Sequence, residues 1–208
     1  MKQAVLFLGL IFLLTGCTDE AQQANSNTPE VNTVLPPVPA VSQTQVRDTT
    51  SGAVNTSGHA QTIRLQAEAM NRHLLKGEFK AFIKFAHPGL INMLGGEEKM
   101  VSALIKGFKE LDKQKSSILK ITVDEPGKIV AREGDMQTVL TETLEMKVPQ
   151  GIMLTKSALI AISKDNGKSW YFIDTGGKDL AAMQKQLPDL SDELILPKPE
   201  NPKLIETK

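Results

Sequence analysis

The stretch MQTVLTETLEMKVPQGIMLTKSALIAIS, Met136 to Ser163, decides the fold. It holds two long runs rich in Val, Ile, Leu and Thr, broken once by Pro149-Gln150-Gly151. Runs of this composition around a short Gly-containing loop read as an antiparallel hairpin. The strands are expected over about Met136 to Val148 and Ile152 to Ser163. If the loop is the three residues Pro149-Gln150-Gly151, Val148 pairs with Ile152. Met146 then faces Leu154, Leu144 faces Lys156, Glu142 faces Ala158 and Leu140 faces Ile160. This register gathers apolar side chains of both strands on one face, and a one-residue slip loses the match. Thr141, Thr143, Glu145, Lys147, Thr155 and Ser157 fall on the other face, which is expected to be wet.

Glu142 and Lys156 break the apolar face. In this register they are diagonal neighbours within reach of each other. A following strand, about Lys168 to Thr175, is joined by the turn Lys164-Asp165-Asn166-Gly167. If Ile160 pairs with Trp170, Asp174 comes opposite Lys156. Glu142, Lys156 and Asp174 then form a charged cluster in an apolar concavity. Buried charges are costly unless paired, so a pair or triad is expected. Such a cluster reads either as a ligand pocket with convergent polar groups or as a structural ion pair at the mouth of the sheet.

Working back from the hairpin, Leu119, Ile121 and Val123 alternate as a strand. Lys128 to Arg132 makes a short one, between turns at Glu125-Pro126-Gly127 and Gly134-Asp135. Before these come helices. Ile63, Ala67, Met70 and Leu74 fall at helical spacing, with Gly77 as the stop. Phe79, Phe82, Ile83 and Ala86 give a second short face ending at His87, because a residue before proline avoids the α region. Pro88 opens another turn, closed by Gly95-Gly96. Met100, Val101, Leu104, Ile105, Phe108 and Leu111 form the longest stripe. Glu97 and Glu98 lie at its start and Lys109, Lys113 and Lys115 near its end, an order that suits the helix dipole. A last helix spans about Lys178 to Gln186. Helices followed by antiparallel strands mean an α+β fold.

The N-terminus reads as an address. Lys2 precedes an apolar run from Ala4 to Leu14, too short for a membrane span, which needs about 20 residues. Leu14-Thr15-Gly16-Cys17 resembles the lipobox of bacterial lipoprotein precursors. That resemblance implies a signal peptide over residues 1–16 and a lipid on Cys17, through which the chain is held to a membrane. Anchoring of this kind takes more than one acyl chain, at roughly 0.8 kcal/mol per buried methylene. Thr18 stands where the enterobacterial inner-membrane signal has Asp, which implies the outer membrane, facing the periplasm. Cys17 is the only cysteine, so the fold has no intrachain disulfide. Residues 17–60, rich in Ser, Thr, Asn, Gln and Pro, read as a disordered tether. Residues 61–190 form the folded domain, and residues 191–208 an extended Pro-rich tail.

Ser163-Lys164-Asp165-Asn166-Gly167-Lys168-Ser169-Trp170 resembles the Asp box, a hairpin-folding device of secreted β-proteins. Asp165 is expected to cap the turn amides, Gly167 to take positive φ, and Trp170 to cover the loop. Sialidases carry several such boxes, and one copy does not make a sialidase. The domain as a whole resembles the nuclear transport factor 2-like superfamily. The likeness lies in three N-terminal helices before a strongly bent antiparallel sheet. It also lies in Pro88-Gly89-Leu90 through Gly95-Gly96, Glu145-Met146-Lys147-Val148 and Trp170-Tyr171-Phe172-Ile173-Asp174. It implies a cone-shaped α+β fold, whose members serve as enzymes, ligand binders and interaction modules.

The chain contains no nucleophile elbow, phosphate loop, dinucleotide fingerprint or zinc spacing. His59, His73 and His87 have no metal-ligand spacing, so neither metal nor cofactor is expected. Basic and acidic residues number 24 each, which with one Trp and one Tyr gives no sign of nucleic-acid binding. The favoured function is non-catalytic: binding a small apolar or amphiphilic ligand, or docking an envelope protein through the sheet's outer face. The alternative is an isomerase or dehydratase with Glu142 or Asp174 as base and Lys156 as electrostatic partner. Monomer and homodimer both remain open.

Overall fold

A computed structural model of the chain describes residues 56–132 and 134–206. The expected signal peptide, Cys17 and the expected tether up to residue 55 lie outside the described residues. The first helix, α1, runs Thr56–Leu75, so residues 56–60 are helical and not part of a tether. Ile63, Ala67, Met70 and Leu74 are its buried stripe. Gly77 (φ 70°) ends that segment. Then come α2 (Phe79–Phe82), a 3₁₀ turn (Ile83–Phe85), α3 (Pro88–Met93) and α4 (Glu97–Lys113). His87 caps α3: its Nδ1 accepts from the Gly89 amide at 3.2 Å, and Pro88 fills the first helical position. Glu97 and Glu98 open α4 and Lys113 closes it.

The strands are β1 (Ser117–Val123), β2 (Val130–Arg132), β3 (Asp135–Val148), β4 (Gly151–Ser163), β5 (Tyr171–Asp174) and β6 (Lys203–Glu206). The expected hairpin is present as β3 and β4. β1 and β2 share one edge of β3, while β5 and β6 share one edge of β4, all antiparallel. The sheet is strongly curled, and the fold is α+β. β1 carries a bulge between Ile118 and Lys120. Leu119 is turned out and 48 % exposed, while Ile118 and Ile121 pack inward.

The register of the hairpin differs by one residue from the sequence expectation. Its loop is two residues, Pro149-Gln150, and Val148 pairs with Gly151. Met146 therefore faces Met153, Leu144 faces Thr155, Glu142 faces Ser157 and Leu140 faces Leu159. Gly151 (φ 147°) lies against β6, where a Cβ would run into the Ile205 carbonyl oxygen. The slip moves every β4 side chain to the other face. It is tolerated because β4 is buried on both faces from Ala158 to Ser163. Its inner face packs on the helices, joining Leu140, Leu159, Ala161 and Phe172 to Ile63, Ala67 and Met70.

The outer face is not wet along that segment. Ile160, Ile162 and Ile173 are covered by Met183, Leu187, Leu190 and Leu194. Met183 belongs to α5 (Leu180–Gln184), capped by Asp179. Residues 191–206 are thus not merely a tail: Ser191 and Leu194 are buried, and β6 pairs with β4.

The Asp-box turn forms between β4 and β5. Asp165 Oδ1 accepts from the Ser169 amide at 2.8 Å and the Lys168 amide at 3.1 Å. Ser163 Oγ accepts from Gly167, and the Trp170 indole donates to the Gly167 carbonyl at 3.0 Å. Those amides hold the Asp165 carboxyl below its ordinary range, that of Ser169 foremost. Gly167 (φ 81°) faces the His59 ring closely enough that a Cβ would strike it.

Candidate functional site: an apolar cavity with two carboxyls

Between the helices and the inner face of the sheet lies a cavity of about 450 Å³. Met100, Leu104 and Phe108 of α4, with Met70 and Leu74 of α1, give its helical wall. Met146, Leu159 and Phe172 give its sheet wall. The lining is overwhelmingly apolar because α4 turns its stripe inward while β3 contributes its even-numbered residues. Exposed Lys106 and half-buried Glu110, also in the lining, belong to α4. A volume of this size suits a small molecule, for which sites are roughly 300–1,000 Å³.

Three interior polar side chains interrupt the apolar wall: Asn71, Glu142 and Asp174. Glu142 is 2 % exposed and Asn71 4 % exposed. Asn71 Nδ2 donates to Glu142 Oε2 at 3.0 Å. Asp174 pairs with Leu159, one inner-face position along β4 from Ser157, which stands opposite Glu142. Its Oδ1 accepts from the Gly176 amide at 2.9 Å. Its Oδ2 is sealed from solvent and makes no hydrogen bond.

Burial raises both carboxyls. Glu142 is pushed up to about 8, chiefly by loss of water and further by the Asp174 charge, against the Asn71 hydrogen bond. Asp174 is pushed up to about 6 by burial, opposed by the Gly176 amide and the nearby Ser157 hydroxyl. At neutral pH, therefore, Glu142 is largely a neutral acid and Asp174 largely an anion.

No known family matches the chain, and no curated protein matches it in sequence.

Of the three residues expected to cluster, the structure brings together Glu142 and Asp174. Lys156 is elsewhere. The register places it on the outer face, exposed, with Nζ 3.3 Å from Glu200 Oε1. The β4–β5 register also differs: Ile160 pairs with Ile173, not Trp170. Thr155 and Ser157, expected on the wet face, share the inner face with Leu144 and Glu142. Asn71 was not foreseen as a site residue. It lies four residues after Ala67 and three before Leu74, a polar side chain on the buried stripe of α1, and that placement is its signal. Among the described residues, no group of three or more His, Cys, Asp or Glu is placed to hold a metal. None of the described helices is long and apolar enough to cross a membrane.

Proposed function

We propose that this chain is a lipid-anchored envelope protein whose domain, of the nuclear transport factor 2-like kind, binds a small apolar or amphiphilic molecule. The cavity carries the binding reading: about 450 Å³, apolar walls, and a polar site built from Asn71, Glu142 and Asp174. The leader and Cys17 support the anchor, with the outer membrane facing the periplasm as the destination. Helices ahead of a curled antiparallel sheet support the superfamily. Ligand binding is favoured over docking through the outer face, because that face is covered at Ile160, Ile162 and Ile173.

Filling the cavity tests the reading. Ala103 lines it from α4, and Ala103→Trp places an indole in the space. 1-Decanol is expected to raise the melting temperature of the wild type and not that of A103W. Equal shifts in both, or none in either, contradict a binding cavity.

One observation favours a second reading, an isomerase or dehydratase. Two carboxyls in one apolar site titrate apart, Glu142 near 8 and Asp174 near 6, as an acid and a base would. Lys156 takes no part in it. A turnover that survives both Glu142→Gln and Asp174→Asn rules this reading out.

A further inference from the structure

The chemistry of the ligand's polar end follows from what the cavity leaves unsatisfied. Buried carboxylates in folded proteins find partners, because an ion stripped of water and left alone is costly. Glu142 has one, the Asn71 amide on Oε2. Asp174 has the Gly176 amide on Oδ1 and the Ser157 hydroxyl nearby, while Oδ2 is buried and accepts no hydrogen bond. All of the supplied groups are neutral: two amide N–H donors and a hydroxyl. The titratable groups in the lining are Glu142 and Asp174 from the sheet and Lys106 and Glu110 from α4. Lys106 is exposed, so the interior carries acid without base.

We propose that the cavity takes a molecule with an apolar body and a cationic, N–H-donating head, seated beside the Asp174 and Glu142 carboxyls that line it. This rests on the reading of the cavity as a ligand site. An ammonium group answers each feature. It supplies the positive charge that the interior lacks and places it beside the dyad in a low-dielectric site, where a charge-assisted hydrogen bond is strongest. The two carboxyls share about one negative charge at neutral pH, which matches a monocation. A neutral alcohol satisfies the hydrogen bond without the charge. A fatty acid brings a third carboxyl to two and is repelled.

The probes are decylamine, 1-decanol and decanoate, which share one chain and differ in the head. Each is titrated calorimetrically into the chain from residue 18 onward, which carries neither the apolar leader nor the lipidated cysteine and needs no detergent. The expected order is amine, then alcohol, then carboxylate, with the amine about ten-fold or more tighter than the alcohol. Asp174→Asn, which keeps the shape of the site, is expected to bring amine and alcohol together. The wild-type order alone decides the preference, so the test stands even if the variant folds poorly. Equal binding of amine and alcohol overturns the cationic head and leaves the cavity reading in place. Binding of none of the three overturns both. An amine preference that D174N keeps in full assigns it to exposed acidic side chains and overturns the proposal.

Discussion

Glu142 and Asp174 lie two strands apart on one face of the sheet, flanking Ser157, and both are raised by burial. Raised carboxyls bind protons more tightly in the folded chain than in the unfolded one. Their contribution to stability is therefore complete at acid pH and is lost as pH rises. For Asp174 the loss runs from 3.8 to about 6, and for Glu142 from 4.5 to about 8. Within its window each group costs about 1.4 kcal/mol per pH unit. Urea denaturation is expected to show these two groups lowering stability from about pH 4 to about pH 8. Glu142→Gln should flatten the upper part of that fall and be more stable than wild type at the alkaline end. A wild-type profile flat over this range contradicts the burial of Glu142.

Asn71 is the hydrogen-bond donor identified on Glu142. Asn71→Ala strips a buried acceptor of its partner and should cost about 1–3 kcal/mol. The cost should be larger at alkaline pH, where the acceptor is an anion. Denaturant midpoints at two pH values measure the difference, and an equal cost at both contradicts the pairing.

Lys156 lies outside the cavity, in a half-exposed pair with Glu200. Exposed pairs contribute little, so Lys156→Met should change stability by about 0.5 kcal/mol or less. It should leave decylamine affinity unchanged. A large loss of affinity would return Lys156 to the site and overturn the register.

Much of this was legible in the sequence. The stripe Ile63, Ala67, Met70 and Leu74 marks the buried face of α1, and the Asp-box residues mark their turn, because local chemistry fixes both. The hairpin Met136 to Ser163 was legible as a hairpin. Its register was not, because alternation selects a face only when the other face is wet. Ala158 to Ser163 is buried on both, since Met183, Leu187 and Leu190 return from far along the chain to cover Ile160 and Ile162. The position of Gly151 was decided in the same way, by the approach of β6. Glu142 and Asp174 were found from a wrong register. Both stand out as charges in apolar strands, a property that survives the slip, whereas the placement of Lys156 depends on the parity of β4.

That cover on the outer face makes a separate prediction. Met183 is fully buried against the sheet. Met183→Ala should cost about 2–5 kcal/mol, as other buried large-to-small changes do. A surface-like cost near zero would mean that α5 does not pack there.

Gly167 needs its positive φ and the space beneath the His59 ring. Gly167→Ala should destabilise the chain by about 1–3 kcal/mol. His59→Ala in the same chain should recover the steric part and leave the backbone part, which thermal melts of the two variants separate.

The central claim is that the helix-and-sheet cavity is a ligand site. Its most direct test is a native mass spectrum of the full chain, released gently from the membranes of the cells that made it. The account predicts a stoichiometric small-molecule adduct, beyond any lipid on Cys17, that is missing from A103W. The same mass for both proteins, apart from the substitution itself, would contradict it.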